Sequence, residues 1–313
     1  MSTGTVSREE LERSFEQYRG ELVGYCYRML GSPFEAEDAV QESFVRAWRG
    51  IDRFEGRAAL RSWLYRIATN ACLDMLSGRE RRARPMDLGP AEAPVLENLR
   101  ERPEATWILP LPDPAEAVAS RDTVRLAFVA ALQHLPPKQR AALILCEVLH
   151  WQASEAAELL ETSVPAVNSA LQRARATLAT LDPEPRDGSV DRELLEKYVS
   201  AFEAYDIDAL TELIREDATQ SMPPYDMWLR GRDDIFTWWW GPGIGCKGSR
   251  VLPAGSANGW PAYAQYKPSP EGGYEPWALQ VVELSEGRIA ELTFFLDTEA
   301  LFPLFGMPAR LEA

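Results

Sequence analysis

The sequence predicts a multidomain chain: two all-α helical units followed by an α+β domain. Three observations predict it. Apolar residues recur at three-and-four spacing through residues 1–84 and again through 122–181. Between them lies a proline-rich, acidic stretch, 85–121, with little periodicity. After DPEPRDG (Asp182 to Gly188) the character changes: residues 189–313 hold six of the ten Trp and end in strand-like apolar runs.

Length and charge bound the reading. A chain of 313 residues has room for two or three cores. It holds no run of about 18 apolar residues, so no membrane span is expected. MSTGTVSREELERSFEQ lacks an apolar signal core, so the expected location is the cytoplasm. Cys26, Cys72, Cys146 and Cys246 form no CxxC pair and read as reduced thiols, with no metal site. The net charge of −15 is uneven. Residues 1–84 carry 14 basic and 13 acidic groups, whereas 182–313 carry 11 and 23. The C-terminal part should therefore be repelled by DNA, and the N-terminal part should not.

The first unit opens with Leu11, Phe15, Tyr18 and Leu22 at helical spacing, and Gly31 ends that run. Ser32, Pro33 and Glu35 are a helix start. The helix from Pro33 to about Trp48 should bury Val40, Phe44 and Trp48 and expose Asp38, Gln41, Glu42 and Arg46. Ile51 to Leu60 reads as a loop. A further helix should bury Trp63, Leu64, Ile67, Ala71 and Met75, with Ser62, Arg66, Asn70 and Ser77 on another side. From Gly56 to Arg84, seven Arg face only Asp74 and Glu80. Arg meets phosphate or guanine, and Asn pairs with an adenine edge, so this surface suits nucleic acid. A solvated amphipathic face is the other reading.

Three motifs stand in order here: EDAVQESFVRAW (Glu37 to Trp48), FEGRAAL (Phe54 to Leu60) and WLYRIATN (Trp63 to Asn70). From about Leu11 to Arg84 the chain resembles region 2 of an extracytoplasmic-function (ECF) sigma factor of the sigma-70 family. The resemblance implies that Asp38, Gln41 and Glu42 face the β′ clamp helices of core RNA polymerase. It also implies that Phe54, Arg61, Arg66, Asn70, Arg79, Arg81 and Arg82 meet promoter DNA at the −10 element. In similar factors the loop captures a base flipped from the stack. Phe54 reads equally as a local core residue. Ser77 and Gly78 depart from the family pattern, so the helix should stop near Gly78 and leave the Arg cluster as a flexible phosphate contact.

Residues 85–121 carry Pro85, Pro90, Pro94, Pro103, Pro110, Pro112 and Pro114 and should stay extended. TWILPLPDP (Thr106 to Pro114) reads as a docking anchor within this linker. In related sigma factors the linker threads toward the polymerase active-site and RNA-exit channels; packing of Trp107 on the adjacent helical units is the alternative.

In 122–181, Val124, Phe128, Ala131, Leu132 and Leu135 make a first face, Pro136 and Pro137 end that helix, and Lys138 to Leu149 forms the next. WQASEAAELLETSVPAVNSALQRARATLA then reads as helix-turn-helix. Ser163 caps the second helix. Val164, Val167, Leu171, Ala174 and Leu178 should face the core, with Asn168, Ser169, Gln172, Arg173 and Arg175 outward for base edges and phosphates. Leu135 to Arg140, Ser154 to Leu160 and Leu171 to Arg175 together resemble sigma region 4. That implies −35 recognition by the outward residues and contact with the polymerase β flap. Glu161 and Thr162 stand where the family often has glycine.

In 189–313, Leu194, Leu195, Tyr198, Val199 and Phe202 mark a helix, Asp208 to Glu216 a second and Gly231 to Trp240 a short third. Ala262–Lys267, Trp277–Leu284 and Ile289–Leu296 read as strands of an antiparallel sheet, with a hairpin turn at Ser285. This order resembles a SnoaL-like, or nuclear transport factor 2-like, cone. In some ECF sigma factors such a domain is appended and regulates them. Both His, His134 and His150, lie outside it, which excludes a His-based dyad there. Tyr225, Asp226 and Asp297 are the remaining candidates for chemistry, with turn and strand-end roles as the alternative. The Trp and Tyr content reads either as core packing or as a pocket for a small-molecule ligand.

The expected function is promoter-specific transcription initiation with core RNA polymerase, without enzymatic activity, cofactor or metal, and modulated by the C-terminal domain. Two alternatives remain open: a DNA-binding regulator with a ligand-sensing cone, and a cone-fold enzyme fused to a DNA-binding module. The final LFPLFGMPARL is either a docking segment or closes the cone's own core.

Overall fold

Side-chain caps and glycines set the first helices, as their sequence signals require. In the computed structural model, which describes residues 7–54, 59–113, 125–181 and 191–312, Ser7 and Glu10 form a reciprocal capping box at the start of α1 (Arg8–Leu30). Gly31, with φ 78°, ends it. The Ser32 hydroxyl accepts the Glu35 N–H at 3.4 Å and starts α2 (Pro33–Gly50). Next comes α3 (Leu60–Leu76), followed by Gly78 at φ 75°.

The line α3 buries is Leu64, Tyr65, Ala68, Thr69, Ala71 and Cys72, so Leu64 and Ala71 lie in the core as expected. Trp63, Ile67 and Met75 do not; they are half-buried. An apolar helix with two usable edges does not declare which one is buried. Here Trp63 leans on Gly50 and on the Phe54 ring, 4.9 Å between centroids. The Tyr25 and Thr69 hydroxyls share a buried hydrogen bond of 2.8 Å. Cys26 and Cys72 meet in the same core, and that contact, with burial, pushes the Cys26 thiol well up.

The first unit also contains the second helical stretch: it joins Met1–Arg82 to Leu126–Pro183. Its further helices are α4 (Leu126–Gln133), α5 (Pro137–Leu143), α6 (Ala153–Leu159) and α7 (Val164–Leu181). A π-helical turn, Ile144–Val148, continues α5. The buried Arg140 guanidinium ties these parts together. It donates to Gln133 Oε1 at 2.6 Å, to the Gln133 and Leu135 carbonyls at 3.1 and 3.2 Å, and to the Met29 carbonyl. Burial pushes its pKa down to about 10.

The second unit holds Ala83–Arg125 and Glu184–Ala313. Its helices are α8 (Arg192–Ala204), α9 (Ile207–Leu213), α10 (Arg232–Trp240) and α11 (Thr298–Leu304). Its strands are β1 (Ile214–Ser221), β2 (Trp228–Arg230), β3 (Arg250–Ala257), β4 (Trp260–Pro268), β5 (Tyr274–Ser285) and β6 (Arg288–Phe295), in the sheet order β2-β1-β6-β5-β4-β3. The unit is α+β, and the three expected strands are β4, β5 and β6. Glu286 and Gly287, both at positive φ, make the tight turn between β5 and β6. The sheet is mixed, since β1 pairs β6 in parallel; side-chain alternation does not encode strand direction. The second expected helix stops at Leu213, and Ile214–Glu216 belong to β1.

The linker differs most from expectation. Its described part is hydrogen-bonded along its length within the second unit. Ala83 and Ile108 bond across a short parallel bridge, with the Ala83 N–H to the Thr106 carbonyl at 2.7 Å. The Trp228 indole donates to the Gly89 carbonyl at 2.9 Å. Arg102 pairs with Asp226 at 2.9 Å. Trp107, Ile108 and Leu109 are buried, so the anchor is set in the C-terminal unit, not in the helical one. Proline denied these residues a helix, but their apolar side chains and free carbonyls still found partners. The C-terminal tail closes its own unit: Phe302 packs edge-on against Tyr266, whose hydroxyl donates to the Pro308 carbonyl at 2.8 Å.

Candidate nucleic-acid and polymerase interfaces

Three surfaces of the first unit carry the expected site residues. On α2, Asp38 and, one turn on, the adjacent Gln41 and Glu42 are all exposed, while Val40 is buried. Glu42 accepts a 2.8 Å bond from Arg46, which also reaches Asp74 at 2.9 Å. Asp38 and Gln41 face solvent.

On α7, Val167, Leu171 and Ala174 are buried, while Asn168, Ser169, Gln172, Arg173 and Arg175 are exposed. Ser163 caps the helix, its hydroxyl accepting the Ala166 N–H at 3.3 Å. Val164 and Leu178 were expected in the core as well; Val164, in the first turn, is exposed and Leu178, near the other end, is half-buried, so only the middle of the stripe is covered. Arg173 donates to the Ser169 hydroxyl at 2.9 Å, and Arg175 pairs with Glu147. The preceding turn uses Glu161 at φ 51°, a left-handed backbone carried by a non-glycine residue.

The third surface is more occupied. Arg61 bonds Glu21 at 2.7 Å and lies over the rings of Tyr65 and Trp151, 5.3 and 5.4 Å from their centroids. Arg66 approaches Glu158 of α6 at 3.8 Å. Asn70 is exposed. Arg81 lies against the His134 ring, and Arg79 pairs with Glu35. Arg82 is a correction: it was expected as a flexible phosphate contact, yet it is 5% exposed and pairs with Glu35 at 3.1 Å. A carboxylate on the first turn of α2 draws it inward. Phe54 is half-buried against Trp63, and residues 55–58, with Gly56, lie outside the described residues.

The candidates for chemistry in the C-terminal unit have structural partners. Asp226 is held by Arg100 and Arg102, Tyr225 bridges to Glu101, and Asp297 caps α11. Sequence reasoning missed Arg100, Arg102 and Asn258, which bind linker to cone. No periodicity marks such residues, because their partners lie more than a hundred positions away. Among the described residues, no group of His, Cys, Asp or Glu is placed to hold a metal, and no helix is long and apolar enough to cross a membrane.

Comparison with known proteins identifies the family. Family models match in order: Sigma-70 region 2 over residues 14–82, Sigma-70 region 4 over 125–178, and a SnoaL-like domain over 195–292. The chain is 44% identical to the ECF RNA polymerase sigma factor SigG of Mycobacterium tuberculosis, over 97% of this chain and 85% of that one. It is 30% identical to SigJ of the same organism, over 66% of this chain and 62% of that one. The crystal structure of M. tuberculosis SigJ superposes with a TM-score of 0.61 at 21% identity, covering 95% of this chain and 99% of that one, a likeness of fold. Both sigma regions in order, and a relative that matches nearly end to end, show that the chain belongs to the ECF RNA polymerase sigma factors of the sigma-70 family, in the form that carries a C-terminal SnoaL-like domain.

Proposed function

We propose that this sigma factor binds core RNA polymerase through Asp38, Gln41 and Glu42 on the β′ clamp helices, and through region 4 on the β flap. Residues 1–84 serve as region 2 and 122–181 as region 4. Promoter DNA is read at two places. Asn168, Ser169, Gln172, Arg173 and Arg175 read the −35 element; Phe54, Arg61, Arg66, Asn70, Arg79 and Arg81 serve the −10 element. The factor does no chemistry; it binds, positions and melts.

The observation that carries this reading is α7. One side is locked into the unit by Val167, Leu171 and Ala174, and the other exposes Asn168, Ser169, Gln172, Arg173 and Arg175, side chains of the kinds that read bases and phosphates. A recognition helix of a helix-turn-helix needs that arrangement to enter a major groove. Arg61 and Arg66 meet residues of region 4, so the −10 surface works after those contacts part; phosphate and base contacts replace them. The C-terminal unit modulates the factor, since it holds the segment that joins the two regions.

Run-off transcription with core polymerase on a two-element promoter tests the reading. Gln172→Ala with Arg173→Ala should abolish output that depends on the −35 element and leave copurification with polymerase intact. Unchanged output would remove the assignment.

A further inference from the structure

The first turn of α7 differs in kind from the rest of its exposed side. Val164, Pro165 and Ala166 open the helix and are all exposed, Val164 by 39%. One to two turns further on, the exposed side chains are Asn168, Ser169, Gln172 and Arg173. Local folding accounts for the neighbours of Val164 but not for Val164 itself. Ser163 is the cap, and proline suits a first turn. Val is a weak helix former, and at this position no core covers it.

The same turn is poor in hydrogen-bonding groups. A helix start ordinarily offers several free N–H groups to a phosphate. Here Pro165 has no N–H at all. The Ala166 N–H donates to the Ser163 hydroxyl at 3.3 Å, and the Val167 N–H donates to the Ser163 carbonyl at 3.0 Å. The tip of α7 therefore suits an apolar contact better than a phosphate or a polar base edge. In the major groove the apolar group on a base edge is the 5-methyl of thymine. The N-terminal part of a recognition helix is also the part that reaches base edges.

We propose that Val164 is a specificity-determining residue: it packs on the 5-methyl group of a thymine in the −35 element, with Pro165 beside it. The T·A pair so read adjoins the pair contacted by Asn168, which stands one turn further along α7. Contact removes both the methyl and the Val164 side chain from water. A cytosine at that place lacks the methyl and leaves Val164 wet. This inference rests on the reading of α7 as the −35 recognition helix, and it adds a methyl-sensing contact to the polar ones.

The test uses holoenzyme, core polymerase with the full chain, on a promoter that it transcribes. Each thymine of the −35 element, on either strand, is replaced in turn by deoxyuridine, which removes the methyl and keeps the base pair. At one position this should weaken promoter binding by about threefold to fivefold. Val164→Ser should lose a similar factor on the thymine template and lose nothing more to deoxyuridine at that position. Its response at the other positions should stay that of wild type. Val164 is exposed, so the substitution leaves the fold in place, and the deoxyuridine arm with wild-type protein needs no variant. Wild-type binding that ignores every deoxyuridine, a −35 element without an A·T pair, or full methyl sensitivity in Val164→Ser overturns the proposal. The −35 reading is measured separately, by Gln172→Ala with Arg173→Ala, so the methyl contact can fail while the recognition helix stands.

Discussion

Leu111 and Asn258, 147 positions apart, exchange two hydrogen bonds: the Leu111 N–H donates to Asn258 Oδ1 at 2.9 Å, and the Asn258 N–H donates to the Leu111 carbonyl at 3.0 Å. Asn258 is fully buried and sits at φ 54°, a conformation that Asn tolerates better than most residues. One side chain thus imitates a strand edge and fixes the linker to the β3–β4 turn. The neighbouring bonds, Asp113 N–H to the Ser256 carbonyl at 3.0 Å and Gly259 N–H to Asp113 Oδ2 at 2.8 Å, continue the same seam.

Asn258→Ala should therefore loosen the linker. It strands the Leu111 N–H and should cost about 1–3 kcal/mol locally. Amide exchange in residues 105–113 should accelerate, while α1 to α3 keep their protection. Equal exchange in both proteins would show that the seam does not hold the linker.

Asp38→Lys should lower affinity for core polymerase without unfolding the chain, since Asp38 is exposed. Asp38 is the cleaner choice over Glu42, which also bonds Arg46. Copurification with core polymerase is the measurement. A circular-dichroism melt within about 1 °C of wild type, consistent with a surface change, accompanies it.

Arg66→Ala and Asn70→Ala should each weaken promoter opening, by about 1–3 kcal/mol if a base contact is lost, while polymerase binding persists. Permanganate footprinting of the open complex reads the effect. Arg66 has a protein partner in the free chain and Asn70 is exposed, so Asn70→Ala should change stability least. Normal opening by both variants would clear this face of a DNA role.

Glu161→Gly should stabilise the helical unit. The residue holds φ 51° in the turn before α7, a conformation glycine adopts freely. Relief of the side-chain penalty is worth about 1 kcal/mol, less what glycine adds to the entropy of the unfolded chain. The melting temperature should rise by a few degrees, about 2–4 °C at most. Calorimetry that shows a fall would mean that Glu161 makes a compensating contact.

A chain ended after Gly188 should behave differently in transcription from the full chain, and the structure supplies a reason. Trp107, Ile108 and Leu109, 1, 2 and 4% exposed in the whole protein, lose the unit that covers them. The truncated protein should bind more anilinonaphthalene sulfonate per molecule. Removal from Phe302 onward should also destabilise the C-terminal unit, by about 3–5 kcal/mol for the buried ring alone. Transcription indistinguishable from full length in both would leave the C-terminal unit without a regulatory role.

What the sequence by itself determined is the local grammar. The caps at Ser32 and Ser163, the stop at Gly31, the split of α7 into a buried and an exposed face, and the strands β4 to β6 all follow from spacing and from side chains that bond within a few residues. Only the tertiary structure decided the rest. It settled which edge of α3 is buried, drew Arg82 into the core beside Glu35, set Arg61 over the Tyr65 and Trp151 rings, paired β1 with β6 in parallel, and placed the proline-rich linker in the C-terminal unit. Each of those depends on partners distant in sequence. Proline, charge and apolar content state what a segment must avoid or bury; the surface that meets the need is chosen by long-range packing.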